Sequence, residues 1–400
     1  MTRLDISILP PHPPSAGYDR SLARGSIADD FQRRLEPARF NPAFFTALTT
    51  RIEQALAITP DNAGLRYQLA FLLLQNNTTR PAIQRAADLL ADTSHPGSQR
   101  LLQLIHGIKA RAAAAPETAA PRQVRRVNWS IFNRCPMACR GCYNAFVDEQ
   151  ITYKQATVIV DKLAGHGVTD VVIAGGDPLL WTPIFDVIDY AVDAGLKIAL
   201  DTTGYTLTED KLAKLCRLSS LRLPMDGTTP EIQRAFRRSK DPNLTAVFTE
   251  SLDLCDRTGY DKVRIHTVAS KANIHDLAAI ANNILPRPSV RQWVIFHWWD
   301  RRATEALRDE LHIDADTIRT EIAKIQEKHP GTEILLADTA MREFLNWMVL
   351  SSGQVVTFAS GPDEEFIIGN LLTDDIETIA SHPVLDYQAM GRGVPVTPRQ

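Results

Sequence analysis

The chain has 400 residues, enough for more than one domain, and its 44% hydrophobic and 23% charged residues are typical of a globular protein. The net charge of −3 lacks the strongly basic balance of a nucleic-acid binder, so a nucleic-acid substrate is not favoured. No apolar stretch resembles a signal peptide or a membrane span, and the five cysteines are not spaced as a secreted disulfide framework, so we expect a reducing cytoplasm and no membrane partner.

The N-terminal part of the sequence predicts a small helical domain. Residues 1–40 are proline-rich and are expected to be irregular, whereas apolar residues recur at helical spacing over 41–114. Two similar segments begin at Thr59 and Thr93, 34 residues apart, and loosely resemble tetratricopeptide helix pairs. A plain helical bundle and a docking surface for a partner or peptide both remain open. The predicted helices are 41–57, 65–75, 81–91 and 97–114.

A different pattern follows a predicted linker at 115–126, which contains two prolines and few large apolar residues. Over 127–299, short apolar runs alternate with helical stretches such as 153–166, which predicts an α/β fold with a partial (β/α)6 TIM-type barrel. Functional loops should follow the carboxyl ends of its strands. Residues 300–400 are expected to form a C-terminal α+β extension. The predicted strands are 129–132, 171–174, 198–200, 221–225, 263–269 and 293–296.

Three cysteines stand together directly after the first predicted strand, in Cys135-Pro-Met-Ala-Cys139-Arg-Gly-Cys142. Three thiolates can bind three irons of a [4Fe-4S] cluster and leave the fourth iron open to a small chelating ligand. A structural zinc site would need a fourth ligand nearby, and neither His nor Cys follows before His166. The spacing therefore favours an iron-sulfur site.

This CxxxCxxC motif, placed after a first βα strand, resembles the signature of the radical S-adenosylmethionine (radical SAM) superfamily. The resemblance extends over about 127–299 and is closest in pattern to single-cluster relatives of the molybdenum-cofactor-synthesis, viperin and SPASM-like group. It implies two cofactors, a [4Fe-4S] cluster and S-adenosylmethionine, which chelates the open iron. It also implies that one electron splits S-adenosylmethionine into methionine and a 5′-deoxyadenosyl radical, which abstracts hydrogen from a substrate.

Further motifs resemble the loops with which this superfamily binds S-adenosylmethionine. Gly175-Gly176-Asp177-Pro178 resembles the GGEP motif, which implies contacts of main chain and carboxylate with the methionyl group. Thr202 and Thr203 resemble a ribose loop, and Asp226 follows the fourth strand in a similar place. Arg234, eight residues after Asp226, matches an arginine that some members direct at the cofactor carboxylate or substrate; a solvated helix arginine is the alternative.

Other polar and aromatic residues have less certain roles. Arg237 and Arg238 are expected at the surface. His266 is either a buried barrel histidine or a ligand or proton carrier. In the last predicted strand, alternation directs His297 to one side and Trp298 to the other, and either a core role or a place at the substrate end is open for both.

The cysteine count limits the reaction that we expect. Residues 300–400 contain no cysteine, and Cys216 and Cys255 are isolated, so a single cluster is predicted. We expect hydrogen abstraction from a small metabolite, in specialised biosynthesis, with a flavodoxin or ferredoxin as electron donor. Peptide modification, with the helical domain holding a leader or partner, is the alternative, and a non-catalytic iron-sulfur sensor is the remote one.

Overall fold

A computed structural model provides the structure, and the described residues form two compact units. One unit contains residues 42–114 with two short segments, 365–369 and 381–385, and the other contains the remaining described residues. The predicted irregular segment 1–40 and most of the predicted linker lie outside the described residues, and the predicted domain boundaries stay predictions. The structure describes residues 42–75, 79–114, 124–140, 142, 144, 150–238, 244–299, 305–338, 347–358 and 365–385.

The first unit is helical over 42–114, as predicted. Each helix packs against the next one in sequence. Thr79 accepts a hydrogen bond from the backbone N–H of Ala82 and so caps the third helix, which has proline in its first turn. The resemblance to tetratricopeptide repeats stays a prediction. Within the described part of 42–114 the helices are α1 (Pro42–Ile58), α2 (Ala63–Gln75), α3 (Arg80–Leu90) and α4 (Ser98–Ala114).

The second unit is built on a largely parallel sheet. Its strand order is β9-β8-β1-β2-β3-β4-β5-β6-β7; β8 and β9 pair antiparallel, and the pairs from β8 and β1 to β6 and β7 are parallel. All six predicted strands are present as β1 to β6, because each is a short buried apolar run between turn residues. A further strand, β10 (Glu365–Asn370), lies almost entirely in the first unit. The strand bounds are β1 (Arg126–Phe132), β2 (Asp170–Gly175), β3 (Lys197–Asp201), β4 (Ser220–Pro224), β5 (Val263–Ala269), β6 (Val290–His297), β7 (Ile334–Ala337), β8 (Trp347–Val349) and β9 (Gln354–Phe358).

Helices connect most of the parallel strands. The helix after β1 begins with a capping box, in which Thr152 and Gln155 bond each other's backbone N–H groups, and ends at Gly167 with φ +89°. None of the helices in the described residues is long and apolar enough to cross a membrane. The helix bounds of this unit are α5 (Tyr153–His166), α6 (Ile184–Asp193), α7 (Glu209–Lys214), α8 (Pro230–Phe236), α9 (Leu244–Thr258), α10 (Leu277–Ile284), α11 (Glu305–Leu311), α12 (Ala315–Lys328) and α13 (Ile376–Ala380).

The sheet curls strongly. Trp299, just past β6, and Phe358, at the end of β9, meet edge to face with ring centroids 5.9 Å apart. In a flat sheet, strands seven positions apart would be separated by about 34 Å, at roughly 4.8 Å per strand. The two ends of the sheet therefore approach each other, and the predicted α/β fold with a partial TIM-type barrel is confirmed.

A buried histidine in the first unit makes the stability of the fold depend on pH. Burial lowers the pKa of His382 to about 4, and its Nδ1 accepts a hydrogen bond of 3.3 Å from the N–H of Val384. The unfolded chain binds a proton near pH 6.5 and the folded chain does not, so His382 stabilises the fold fully above pH 6.5 and loses this contribution as the pH falls toward 4.

Between pH 6.5 and 4 we therefore expect the wild type to lose stability faster than His382→Asn does. The difference in slope should be about 1 kcal/mol per pH unit. Thermal unfolding at closely spaced pH values measures the difference in slope. The same substitution at His106, an exposed residue of α4, serves as the control. Parallel pH profiles of wild type and His382→Asn would contradict this account.

Candidate active site

The three cysteines of the CxxxCxxC motif form one group just after β1. Cys135, Cys139 and Cys142 are free thiols, and each is half-buried. Electrostatic interactions connect Cys135 with Cys142 and Cys139 with both of the others. The structure therefore brings together the thiols that the sequence places within eight residues.

Backbone contacts hold the cysteine segment against the end of α8. The N–H of Ala138 donates to the carbonyl of Arg238 at 2.6 Å, and the N–H of Arg140 donates to the carbonyl of Phe236 at 2.9 Å. The Arg140 guanidinium adds a bond of 3.1 Å to the carbonyl of Ala235. Because α8 follows β4, these contacts position the cysteines above the carboxyl ends of the strands.

Apolar side chains surround two of the thiols. Met137 and Phe248 pack against Cys135 and Cys139, and Trp298 belongs to a second apolar group that also contacts Cys139. Burial raises the pKa of Cys135 to about 11 and that of Cys139 to about 12. The apolar setting thus shields this part of the segment from water.

The donor set of the thiol group fits an iron-sulfur cluster. Within the residues that the structure describes, no set of three His, Cys, Asp or Glu side chains is close enough to hold one metal ion. In an iron-sulfur cluster each thiolate binds a different iron, so the sulfurs need not converge on one point. Free, half-buried thiols in apolar surroundings match this donor set.

An arginine and an aspartate lie beside the cysteines as a buried ion pair. Arg237 donates from Nε to the carboxylate of Asp226, which is fully buried, and its Nη1 is 4.0 Å from Sγ of Cys139. Burial lowers the pKa of Arg237, but the charges of Asp226 and Cys139 outweigh this effect and raise it overall. A fixed positive charge therefore faces the thiol group.

The prediction that Arg237 lies at the surface is wrong, because only 15% of its side chain is exposed, whereas Arg238 is exposed as predicted. Arg234 lies at an exposed position of α8, and Arg237 is an arginine at the end of this helix that contacts Cys139. The spacing of residues along α8 is the signal that could have indicated the burial of Arg237. Gln233 is buried, and Arg237 follows it by four residues, which places both on one face.

Asp226 also connects the ends of three elements. Its carboxylate accepts a bond of 2.6 Å from the N–H of Val268 in β5, and its own N–H donates to Gln233 of α8 at 2.8 Å. The amide of Asn273 donates to the carbonyls of Asp226 and Val268 at 2.8 and 2.9 Å. This network holds the carboxyl ends of β4 and β5 in register beneath the cysteine segment.

The glycine turn after β2 lies directly against the segment that leads to Cys135. The N–H of Gly176 donates to the carbonyl of Phe132 at 2.6 Å, and the N–H of Asp177 donates to that of Arg134 at 2.7 Å. Gly175 adopts φ +130°, which favours glycine. A Cβ atom on Gly176 would overlap the Arg134 carbonyl and stand 2.5 Å from its carbon. The two glycines therefore allow a close approach of backbone to backbone.

The carboxylate of Asp177 is fully buried and bonded within the protein. It accepts hydrogen bonds from the hydroxyl of Thr202 at 2.7 Å, from the hydroxyl and N–H of Thr203, and from the N–H of Leu179 at 3.2 Å. Pro178 opens the 3₁₀ turn that this last bond caps. The predicted residues of the second and third strand ends thus form one hydrogen-bonded unit.

The last predicted strand points its two sets of side chains in different directions. His297 faces away from the cysteines, since its Nε2 bonds the carbonyl of Ile313 at 2.7 Å and its Nδ1 lies 3.4 Å from Asp338. Trp298 is buried in the apolar group that includes Cys139. His266 packs edge to face on Phe296, with ring centroids 4.9 Å apart, on the lumen face. Trp298 thus shares an apolar group with one of the three thiols.

The second unit combines three features. Its parallel sheet curls into a partial barrel, a thiol group follows β1, and a glycine turn follows β2. The family model described as the Radical SAM superfamily matches residues 129–284, which contain the thiol group and the glycine turn. Residues 129–284 are thus similar to the radical SAM superfamily of enzymes, whose cofactors are a [4Fe-4S] cluster and S-adenosylmethionine.

Curated relatives are about a quarter identical to the chain over the regions that align with it. Fe-coproporphyrin III synthase of Methanosarcina barkeri is 24% identical over 225 residues, which cover 53% of the chain and 55% of that protein. An S-adenosylmethionine-dependent nucleotide dehydratase of Lacinutrix mariniflava is 25% identical over 269 residues, which cover 63% and 53%. The chain spans about half the length of these relatives.

Solved structures show the same fold at low identity. Streptococcus suis SuiB bound to S-adenosylmethionine superposes with a TM-score of 0.52 at 12% identity, covering 82% of each chain. The form bound to the precursor peptide SuiA gives 0.51 at 12% identity, covering 81% of the chain and 82% of SuiB. This likeness supports the partial-barrel fold.

Proposed function

We propose that the chain is a radical SAM enzyme that holds one [4Fe-4S] cluster through Cys135, Cys139 and Cys142. The observation that carries this proposal is the grouping of three free thiols after β1 inside the matched domain. When bound, the cluster supplies one electron that cleaves S-adenosylmethionine to methionine and a 5′-deoxyadenosyl radical, which abstracts hydrogen from the substrate. Arg237 holds positive charge beside the thiolates, and the apolar side chains exclude water from them.

We further propose that the carboxyl ends of β2, β3 and β4 bind S-adenosylmethionine. Gly175 and Gly176 expose main chain at the turn, and Asp177 with Pro178 fixes its shape. Thr202 and Thr203 are positioned by the Asp177 carboxylate. Asp226 acts from inside the protein by orienting Arg237, and the role of Arg234 at the cofactor carboxylate or substrate stays a prediction.

The substrate that we propose is a small metabolite. The nucleotide dehydratase and the coproporphyrin synthase bear the names of small-molecule enzymes, and residues 300–400 contain no cysteine for a further cluster. Because the five cysteines are not spaced as a secreted disulfide framework, we place the reaction in a reducing compartment such as the cytoplasm, with a flavodoxin or ferredoxin as electron donor.

Peptide modification is the second candidate. The fold likeness to SuiB in its form bound to a precursor peptide favours it, as does a cavity of about 530 Å³ among α1, α2 and α3. Fluorescence anisotropy of the full chain with labelled peptides from neighbouring genes tests this reading. Saturable binding of one peptide would favour peptide modification. The absence of binding would leave a small metabolite as the proposed substrate.

Anaerobic reconstitution with iron and sulfide, followed by dithionite and S-adenosylmethionine, tests the main proposal. We expect 5′-deoxyadenosine by chromatography from the wild type and only background from Cys142→Ala, because loss of a ligand removes the cluster. Cys216→Ala, which changes an exposed cysteine outside the group, should match the wild type. Equal product from wild type and Cys142→Ala, or none from a wild type that holds iron, would refute the proposal.

A further inference from the structure

The lumen face of the barrel carries a row of charged residues below the cysteines. The strand register pairs Asp201 at the end of β3 with Arg222 in β4, and Arg222 with Arg264 in β5. Paired residues of neighbouring parallel strands lie on the same face of the sheet, about 4.8 Å apart. The two arginine side chains therefore stand side by side.

This face is the one that looks toward the cysteines. Val268 lies four residues after Arg264 on β5, so both share a face, and Val268 packs in the apolar group that includes Cys139. Arg264 and Val268 are separated by about 13 Å along the strand, at roughly 3.3 Å per residue. The arginines thus lie deeper in the lumen than the thiols, with His266 between.

Arg222 is buried without full compensation. Only 8% of its side chain is exposed, its Nε has no hydrogen-bond partner, and its single described ion pair is a contact of 3.4 Å from Nη1 to Asp201. A buried guanidinium normally satisfies its donors, because an unpaired buried N–H loses its bonds to water without replacement. The free donor edge of Arg222 is the type of group that a bound anion satisfies.

Among the residues of this cluster that are not exposed, positive charge exceeds negative charge. Arg222 and Arg264 lie side by side, Arg264 makes no ion pair within the described residues, and Asp201 is the one carboxylate there in contact with Arg222. Arg126, Asp170 and Glu333 act on the cluster from exposed positions.

The pKa of His266 responds to the same positive charges. Its pKa is lowered well below the ordinary value, first by burial and then by the charges of Arg222 and Arg264. A neutral imidazole therefore stands between the arginines and the thiols, and adds no negative charge that would neutralise them. The lumen at this depth attracts anions.

We propose that Arg222 and Arg264 bind an anionic group of the substrate, a carboxylate or a phosphate, at the inner end of the lumen. Arginine recognises both groups with paired donors. This inference rests on the proposed function, since it places the substrate between the arginines and the cysteine group. It names the chemical class of the substrate, an anion whose charged group lies away from the site of hydrogen abstraction.

Isothermal titration calorimetry of the reconstituted full chain tests this inference. The probes are inorganic phosphate and pyrophosphate in one arm and glutarate and citrate in the other, each at ionic strength matched with sodium chloride. We expect saturable binding in at least one arm, and the arm that binds identifies the anionic group. Arg264→Gln and Arg222→Gln should each weaken this binding at least about tenfold, as expected for a lost charge-assisted hydrogen bond.

Arg291→Gln is the matched control. Arg291 is an exposed arginine of β6 and lies on the opposite face from Val294 and Phe296. This variant should bind the probes as the wild type does. Since Arg222 is buried, unfolding of that variant is checked by circular dichroism, and Arg264, which is half-exposed, carries the test if Arg222→Gln does not fold. No saturable binding, or equal weakening by Arg291→Gln, overturns the inference. Formation of 5′-deoxyadenosine is measured separately, so a chain that cleaves S-adenosylmethionine without binding any probe refutes only this site.

Discussion

Gly176→Ala should remove most of the iron that the protein binds and lower its stability by about 1–3 kcal/mol, the range for overpacking a close contact. The new methyl group would overlap the carbonyl oxygen of Arg134 and stand 2.5 Å from its carbon and 2.9 Å from its nitrogen. These are backbone atoms, which cannot rotate away. The collision falls on the segment between β1 and Cys135, so the thiol group should move with it.

Iron and acid-labile sulfide after anaerobic reconstitution, together with thermal unfolding, measure this effect. Gly165→Ala is the matched control, because Gly165 lies in α5 and an added Cβ meets nothing within 4 Å there. Alanine in a helix is favoured over glycine by up to about 1 kcal/mol, so this variant should be as stable as the wild type or more so. Full iron content and an unchanged melting temperature in Gly176→Ala would show that the turn is not needed to place the cysteines.

Arg237→Gln should destabilise the fold by about 3–5 kcal/mol, because it leaves the carboxylate of Asp226 buried without its counter-ion. The carboxylate retains only the N–H of Val268 as a described hydrogen-bond donor. Burial already raises the pKa of Asp226, and Arg237 opposes this rise, so the variant removes the main stabilisation of the charged form. Urea unfolding under reducing, anaerobic conditions measures the loss.

Two further variants separate charge from packing. Arg238→Gln changes the adjacent, exposed arginine, whose backbone carbonyl still accepts the bond from Ala138, and should cost little. Asp226→Asn combined with Arg237→Gln removes both charges and should recover much of the stability that Arg237→Gln loses. A double variant no more stable than Arg237→Gln would show that the unpaired charge of Asp226 is not the cause of the loss.

The elements and the cysteine site were predictable because their signals are local in sequence. A buried strand is a short apolar run between turn residues, and a helix start carries its own cap, as at Thr152 and Gln155. The cysteines lie within eight residues, so one loop carries the whole motif. Their spacing alone was enough to indicate the superfamily that the family model then matched.

Residues whose roles depend on distant partners were not predictable in the same way. Asp177 bonds Thr202 and Thr203, 25 and 26 residues later, and this pairing exists only because β2 and β3 are neighbours in the sheet. Arg237 reads as a surface residue in an arginine-rich stretch, and only its contact with Asp226, 11 residues earlier, buries it.

The sequence by itself determined β1 to β6, the helices of 42–114 and the CxxxCxxC segment, because hydrophobic periodicity, capping and motif spacing act over a few residues. The tertiary structure alone decided which charges face one another. Cross-strand register aligned Asp201, Arg222 and Arg264, and the curl of the sheet directed that row toward the space beneath the cysteines. Register and curvature arise from packing of the whole sheet, so no single segment of the chain encodes them.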